Sequence, residues 1–308
     1  MHRRHLLLAV ASATALAACG GDSDPNLVQA LEIDADLALL LEAVRAAGLE
    51  STLRGSGPFT LFAPTNAAFS AALSELGLSK AQLFGDTALL TSVLTYHVLG
   101  AEVRAADVPA EQAVTTLQGG IFKPTAVAGG LAIVDGRNRV ANIVRTDIGC
   151  SNGVIHQLDR VLLPADKNIV QTAQALPDFS ILVDAVVAAG LVEALSATGP
   201  LTVFAPTNAA FAALLDELDT TAEALLADTE LLTAVLSYHV VPGRVLKSGV
   251  PVGAPIATLQ GGSFSVDAQL AITDGRMRMA NIVATDVLTS NGVIHVIDRV
   301  ILPPVAPT

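Results

Sequence analysis

The 308-residue chain has no tryptophan, two tyrosines, two cysteines and 17 basic residues against 29 acidic ones. Each scarcity excludes something. With aromatics at 4% and no basic cluster, it lacks the cationic footprint and stacking side chains of a nucleic-acid binder. A formal charge of −12 gives no attraction to an anionic membrane surface. Past the N-terminus no apolar run reaches the ~20 residues that span a bilayer. No glycine loop for phosphate follows a strand, and no carboxylate series has calcium-loop spacing. Paired Cys or HxxxH spacing for zinc is missing too, so no metal or cofactor is implied. What is abundant is apolar material, 52% of residues, enough for two cores at this length.

The N-terminus stands apart from the fold. "MHRRHLLLAVASATALAAC" runs from Arg3 and Arg4 through an apolar stretch to small residues before Cys19, the pattern of a secretory signal peptide over residues 1–18. Leu16-Ala17-Ala18-Cys19 resembles the lipobox of bacterial lipoproteins. That resemblance implies cleavage before Cys19, acylation of Cys19 and a tether over residues 19–25. Gly20 favours the outer membrane in a Gram-negative host, so the expected location is the cell envelope. Cleavage removes two arginines and no acid, taking the formal charge from −12 to −14. Cys150 is then the single free thiol; the second copy described next has Thr289 in its place.

The chain writes its motifs twice. "FTLFAPTNAAF" at 59–69 returns as "LTVFAPTNAAF" at 201–211, and "YHV" and "TLQGG" also recur 142 residues on. Later matches, "DGR", "ANIV" and "SNGVIH", recur at an offset of 139. Two copies make tandem globular domains rather than a solenoid. They are expected at 26–164 and 168–304, joined by a linker at 165–167 short enough to hold them close, with a tail at 305–308.

Both copies follow one order. "LALLLEAVRAAG" spaces Leu37, Leu40, Leu41 and Val44 for a helix, and Gly48 suits its left-handed C-terminus. "FTLFA" reads as a buried strand ended by Pro64, after which Thr65 or Asn66 caps a helix. "DTALLTSVLTYHV" predicts a further capped helix. Beyond residue 98 strands dominate, with turns at Asp135-Gly136 and Asn152-Gly153. Helices followed by an antiparallel sheet make an α+β class. The repeated stretch, which holds no nucleophile beside a base, is duplicated scaffold.

With these residues laid out, the chain resembles the fasciclin domain family in two tandem copies. The resemblance is carried by the "FAPTNAAF" stretches, by Tyr96-His97 and Tyr238-His239, and by "NGVIHQLDRVLLP" and "NGVIHVIDRVILP". It implies helices packed around an antiparallel β-wedge, and non-catalytic modules acting in adhesion and matrix contact. In animal members an Asp-Ile pair before the third motif is implicated, with the Tyr-His, in integrin binding. Asp147-Ile148 matches that pair here and Asp286-Val287 stands in the second copy, with Gly149 departing from the aliphatic residue that follows it. These four residues, on a loop before each Asn-Gly turn, are the expected partner contacts.

Other chemistry is weaker. "GCSNG" at 149–153 has hydrolase-elbow spacing, but that elbow needs a following helix where a strand is expected. His97, His156, His239 and His295 each sit in an apolar run and read as buried braces, as do the tyrosines. Asp159-Arg160 and Asp298-Arg299 read as local ion pairs on a sheet. The expectation is a lipid-anchored envelope protein, not an enzyme, that binds a protein, a glycan or a second copy of itself by surface complementarity. The alternative is a periplasmic carrier or assembly factor with a small-ligand pocket between its domains.

Overall fold

The computed structural model describes residues 24–305. The signal peptide, Cys19 and most of the tether and tail lie outside the described residues. Within them, the first domain holds helices α1 (Leu27–Ile33), α2 (Ala38–Ala46) and α3 (Glu50–Leu53), strand β1 (Phe59–Pro64), then α4 (Asn66–Leu76), α5 (Lys80–Gly85) and α6 (Thr87–Tyr96). Strands β2 (Val98–Leu99), β3 (Val114–Thr115), β4 (Ile121–Val127), β5 (Gly130–Val134), β6 (Val140–Cys150) and β7 (Gly153–Leu158) complete it.

The second domain repeats this series with α7 (Ile169–Gln174), α8 (Ser180–Ala188), α9 (Val192–Ser196), β8 (Leu201–Pro206), α10 (Asn208–Leu218), α11 (Ala222–Ala227) and α12 (Thr229–Tyr238). Its remaining strands are β9 (Val240–Pro242), β10 (Pro255–Ala257), β11 (Ser263–Val266), β12 (Ala271–Thr273), β13 (Met279–Thr289) and β14 (Gly292–Ile297).

Local chemistry places the helix starts. Thr65 Oγ1 accepts from Ala68 N–H and Asp86 caps α6 through Leu89 N–H, each satisfying a donor the helix leaves orphaned. Asn66 reaches outward instead, accepting from Leu39 N–H and donating to the Ala35 carbonyl, so the cap also fixes the approach to α2.

Each domain is α+β with a seven-stranded sheet, in the order β2-β1-β7-β6-β5-β4-β3 and its second-domain equivalent. The sheet is mixed rather than purely antiparallel. β1 runs parallel to β7, with Phe59 opposite Gly153 through Pro64 opposite Leu158, and β8 does the same with β14. A parallel pair needs a long connection, and here everything from α4 to β6 is that connection. Helices cover one end of the sheet, burying Leu31, Leu40, Val44, Phe69 and Leu90 against Leu61 and Ile155. The other strands enclose a smaller core of Phe62, Tyr96, Phe122 and Ile133.

Two buried polar residues close each unit. Asn152 donates to the carbonyls of Leu53 and Gly55 and accepts from Leu27 N–H, tying the β6–β7 turn to the first helix. Asp135 accepts from the N–H groups of Arg137, Arg139 and Leu163. Asp159, by contrast, is not paired with Arg160: its carboxylate takes two hydrogen bonds of 2.7 Å from Asn142. Asp298 likewise takes Asn281. A carboxylate facing two aligned amide donors across the strand is better served by them than by a neighbour on its own exposed edge.

Candidate functional site

Asp147 and Asp286 are bulge residues, not loop residues. β6 and β13 each slip register against their neighbour at this point, between Arg145 and Ile148 and between Ala284 and Val287. Asp147 and Asp286 take left-handed φ values of 57° and 62°, a conformation that aspartate tolerates better than most side chains. A bulge re-aims its side chain, and here both carboxylates turn to the segment after the second strand. Asp147 accepts from Ala105 N–H at 2.9 Å and Asp286 from Lys247 N–H at 2.7 Å.

A histidine holds each bulge from behind. His156 Nδ1 accepts from Asp147 N–H at 3.2 Å, which leaves Nε2–H to donate to the Val103 carbonyl at 2.9 Å. His295 repeats this with Asp286 N–H and the Val245 carbonyl. His97 has a separate task. Its Nδ1–H donates to Val93 O within α6, and Nε2 accepts from Leu162 N–H, joining that helix to the segment beyond β7. His239 does the same between Val235 and Ile301. Both rings are buried, and burial pushes each pKa down to about 4. Tyr96 and Tyr238 donate to the carbonyls of Ile121 and Ser263, and burial raises both phenols. All six motif residues are thus engaged inside the fold.

The two bulges differ in what lies outside them. Asp147 is exposed, with no hydrogen bond from its side chain beyond Ala105 among the described residues. Asp286 is 4% exposed because the first domain sits on it. Lys123 of β4 reaches across to Asp286 Oδ2 at 2.9 Å and also pairs with Glu111 at 3.2 Å. Burial works against the ammonium, but the two carboxylates outweigh it and hold its pKa above the ordinary lysine range. Beside this pair, Asn138 presents its side-chain amide to Leu288 as a strand would, donating to the carbonyl at 3.0 Å and accepting from N–H at 2.6 Å. Ile121 packs with Leu246, Leu288 and Val293 to complete an apolar joint.

Asp286 is therefore part of the contact between domains and is closed to an outside partner, whereas Val287 is half-buried and packs on the core of its own domain. Of the four expected contact residues, the structure leaves Asp147 exposed and Ile148 half-buried. Lys123, Asn138 and Glu111 were not anticipated. Their signal was present as asymmetry: the second copy has Ser265, Met277 and Gly253 at those positions, so the scaffold does not require them.

Ser151 lies in the β6–β7 turn, followed by β7 rather than by a helix, which is the wrong setting for a hydrolase nucleophile. No three His, Cys, Asp or Glu side chains among the described residues converge to hold a metal ion. No described helix is long and apolar enough to cross a membrane.

The chain is similar in sequence to several known proteins. A Synechocystis protein is 49% identical over 140 residues, 44% of this chain and 73% of that protein. Transforming growth factor-beta-induced protein ig-h3 of Sus scrofa is 29% identical over 92% of this chain, which spans 40% of that protein's length. Human periostin is 29% identical over 86% of the chain and 30% of its own length. The solved FAS1 domain pair of the insect cell adhesion molecule Fasciclin I matches 87% of this chain at 17% identity and a TM-score of 0.43. The Fasciclin domain model matches residues 35–164 and again 177–303, and the chain belongs to the Fasciclin domain family, with two copies in tandem.

Proposed function

We propose that this protein is a lipid-anchored adhesion or interaction module of the cell envelope, acting by surface contact rather than by catalysis. Family membership supports the adhesive reading. The observation that carries it further is the use the second domain makes of its own bulge: Asp286 and its surroundings grip a folded protein surface, that of the first domain. The corresponding face of the first domain, centred on Asp147 and Ile148, is open. Its partner is a protein offering a basic side chain to the unpaired oxygen of Asp147, as Lys123 does for Asp286. Gly149 replaces Leu288 there, so the open face lacks the apolar plug of the joint. It takes a partner of different shape from the first domain itself.

Acylation at Cys19 supplies the anchor in this reading, and Cys19→Ala is expected to move the chain from membranes to the soluble fraction. Asp147→Asn tests the contact, since asparagine keeps the left-handed backbone and an acceptor for Ala105 N–H while removing the charge. Cells carrying that variant are expected to lose attachment to their partner surface while the purified protein melts normally. Undiminished attachment would remove the Asp147 face from consideration. Protease treatment of intact cells, with a periplasmic control, decides whether the chain faces outward.

A further inference from the structure

Where the domains meet, a cavity of about 350 Å³ opens between Gly119, Gly136 and Ala165 on one wall and Arg244, Thr289 and Ser290 on the other. A second, of about 460 Å³, adjoins it on the second domain, and Arg244 and Ser290 line both. Spaces of this size hold small molecules, and ligands favour clefts between domains.

Arg244 is the one charged side chain on these walls. It makes no hydrogen bond and no ion pair among the described residues, and its Nε is buried without a partner. Burial lowers its pKa from the ordinary arginine value, with no carboxylate near enough to offset that effect. The other deeply set arginines are treated differently. Arg139 is held by Asp135 and Glu75; Arg278 also has a buried Nε without a hydrogen bond, but the carboxylates of Glu217 and Asp274 lie at 2.9 and 3.7 Å from its guanidinium. Nor does the repeat demand an arginine: the first copy has Glu102 at this position, paired with Arg104. Thr289, on the same wall, carries a buried Oγ1 that also lacks a partner. A guanidinium whose Nε is buried without an acceptor is unfavourable, and its planar fork matches an oxyanion with two parallel hydrogen bonds.

We propose that the cleft between the domains binds a small molecule bearing an oxyanion, a carboxylate or a phosphate, held by the Arg244 guanidinium beside Thr289 and Ser290. The site is independent of the Asp147 face and of the adhesive reading. It gives an acidic chain one local place where an anion is favoured. Because both domains supply walls, occupancy also braces the joint.

The test is titration of the ¹⁵N-labelled protein with glucuronate and, separately, with inorganic phosphate, following amide shifts at Gly119, Arg244 and Ser290. The expected result is a saturable shift at these amides with at least one of the two anions, and none with glucose. The anion that saturates at lower concentration identifies carboxylate or phosphate as the preferred group. Arg244→Gln is expected to weaken binding at least about tenfold while melting at or above the parent temperature, since it removes a half-buried charge that has no carboxylate partner. Arg244→Lys keeps the charge without the fork and retains weaker binding. No saturable shift with either anion overturns the proposal, as does unchanged binding in Arg244→Gln. A lowered melting temperature in both variants, with binding intact, would assign Arg244 to structure alone.

Discussion

Lys123 in the first domain and Asp286 in the second meet at 2.9 Å, with 12% and 1% of their side chains exposed. They are 163 residues apart in sequence. The pair lies in the face on which the two fasciclin domains are joined, beside the Asn138–Leu288 hydrogen bonds, and the equivalent face of the first domain is left open.

Breaking this pair from one side is expected to uncouple the domains. Removing one partner of a buried ion pair costs about 3–5 kcal/mol. Lys123→Ala leaves Asp286 Oδ2 buried without its cation, with Lys247 N–H still on Oδ1, and a single thermal transition should split into two or lose several degrees. Lys123→Met combined with Asp286→Asn should recover most of the loss, because asparagine still accepts from Lys247 N–H. Calorimetry of the three proteins measures this, and equal melting of parent and Lys123→Ala would show that the joint does not depend on the pair.

Acid should unfold the protein through its buried histidines. His97 and His239 have folded pKa values near 4, below the ordinary 6.5. The unfolded chain therefore binds protons that the folded one refuses, and stability falls as pH drops from about 6.5 to 4. The loss is on the order of 3 kcal/mol per ring if the shift is fully expressed. His97→Ala should destabilise the first domain at neutral pH, since it leaves Leu162 N–H buried without its acceptor. Denaturant unfolding between pH 4 and 8 checks both statements. A parent profile flat over that range would contradict the first.

Gly153→Ala should be among the most damaging single changes in the first domain. A Cβ at this position would lie 2.0 Å from the Phe59 carbonyl oxygen, where β1 and β7 pair in parallel. Backbone cannot yield there without opening the ladder. Loss of soluble expression, or a melting temperature lowered by well over 5 °C, is expected. Gly149→Ala, with open space around it, is the matched control and should fold normally.

Cys150 should be a slow thiol. Burial, aided by the nearby Asp24 carboxylate, pushes its pKa up to about 11, so the thiolate that reacts is scarce at neutral pH. Alkylation by iodoacetamide at pH 7.5 should be far slower than that of free cysteine and should accelerate on unfolding. Fast labelling of the folded protein would place the thiol in a different environment.

Much of this protein was legible before its structure. The offset of 142 residues fixed two domains, and Thr65, Asp86 and Gly48 mark helix ends because capping acts within one turn of chain. The Asn-Gly turns carried the same kind of short-range signal. Distance in sequence hid the rest. β1 finds β7 across nearly a hundred residues, and no local pattern says whether such a pairing is parallel. Asp147 and Asp286 occupy the same place in the same motif, yet one is open and the other sealed by a lysine that the repeat does not predict. The solitude of Arg244 is less legible still, because it is a property of every side chain that fails to reach it. Sequence alone determined the fold family and the order of elements, through spacings that act over a few residues. Which face is covered, which is free and where a charge is left without a partner were decided by tertiary packing, because those depend on groups brought together only when both domains have closed.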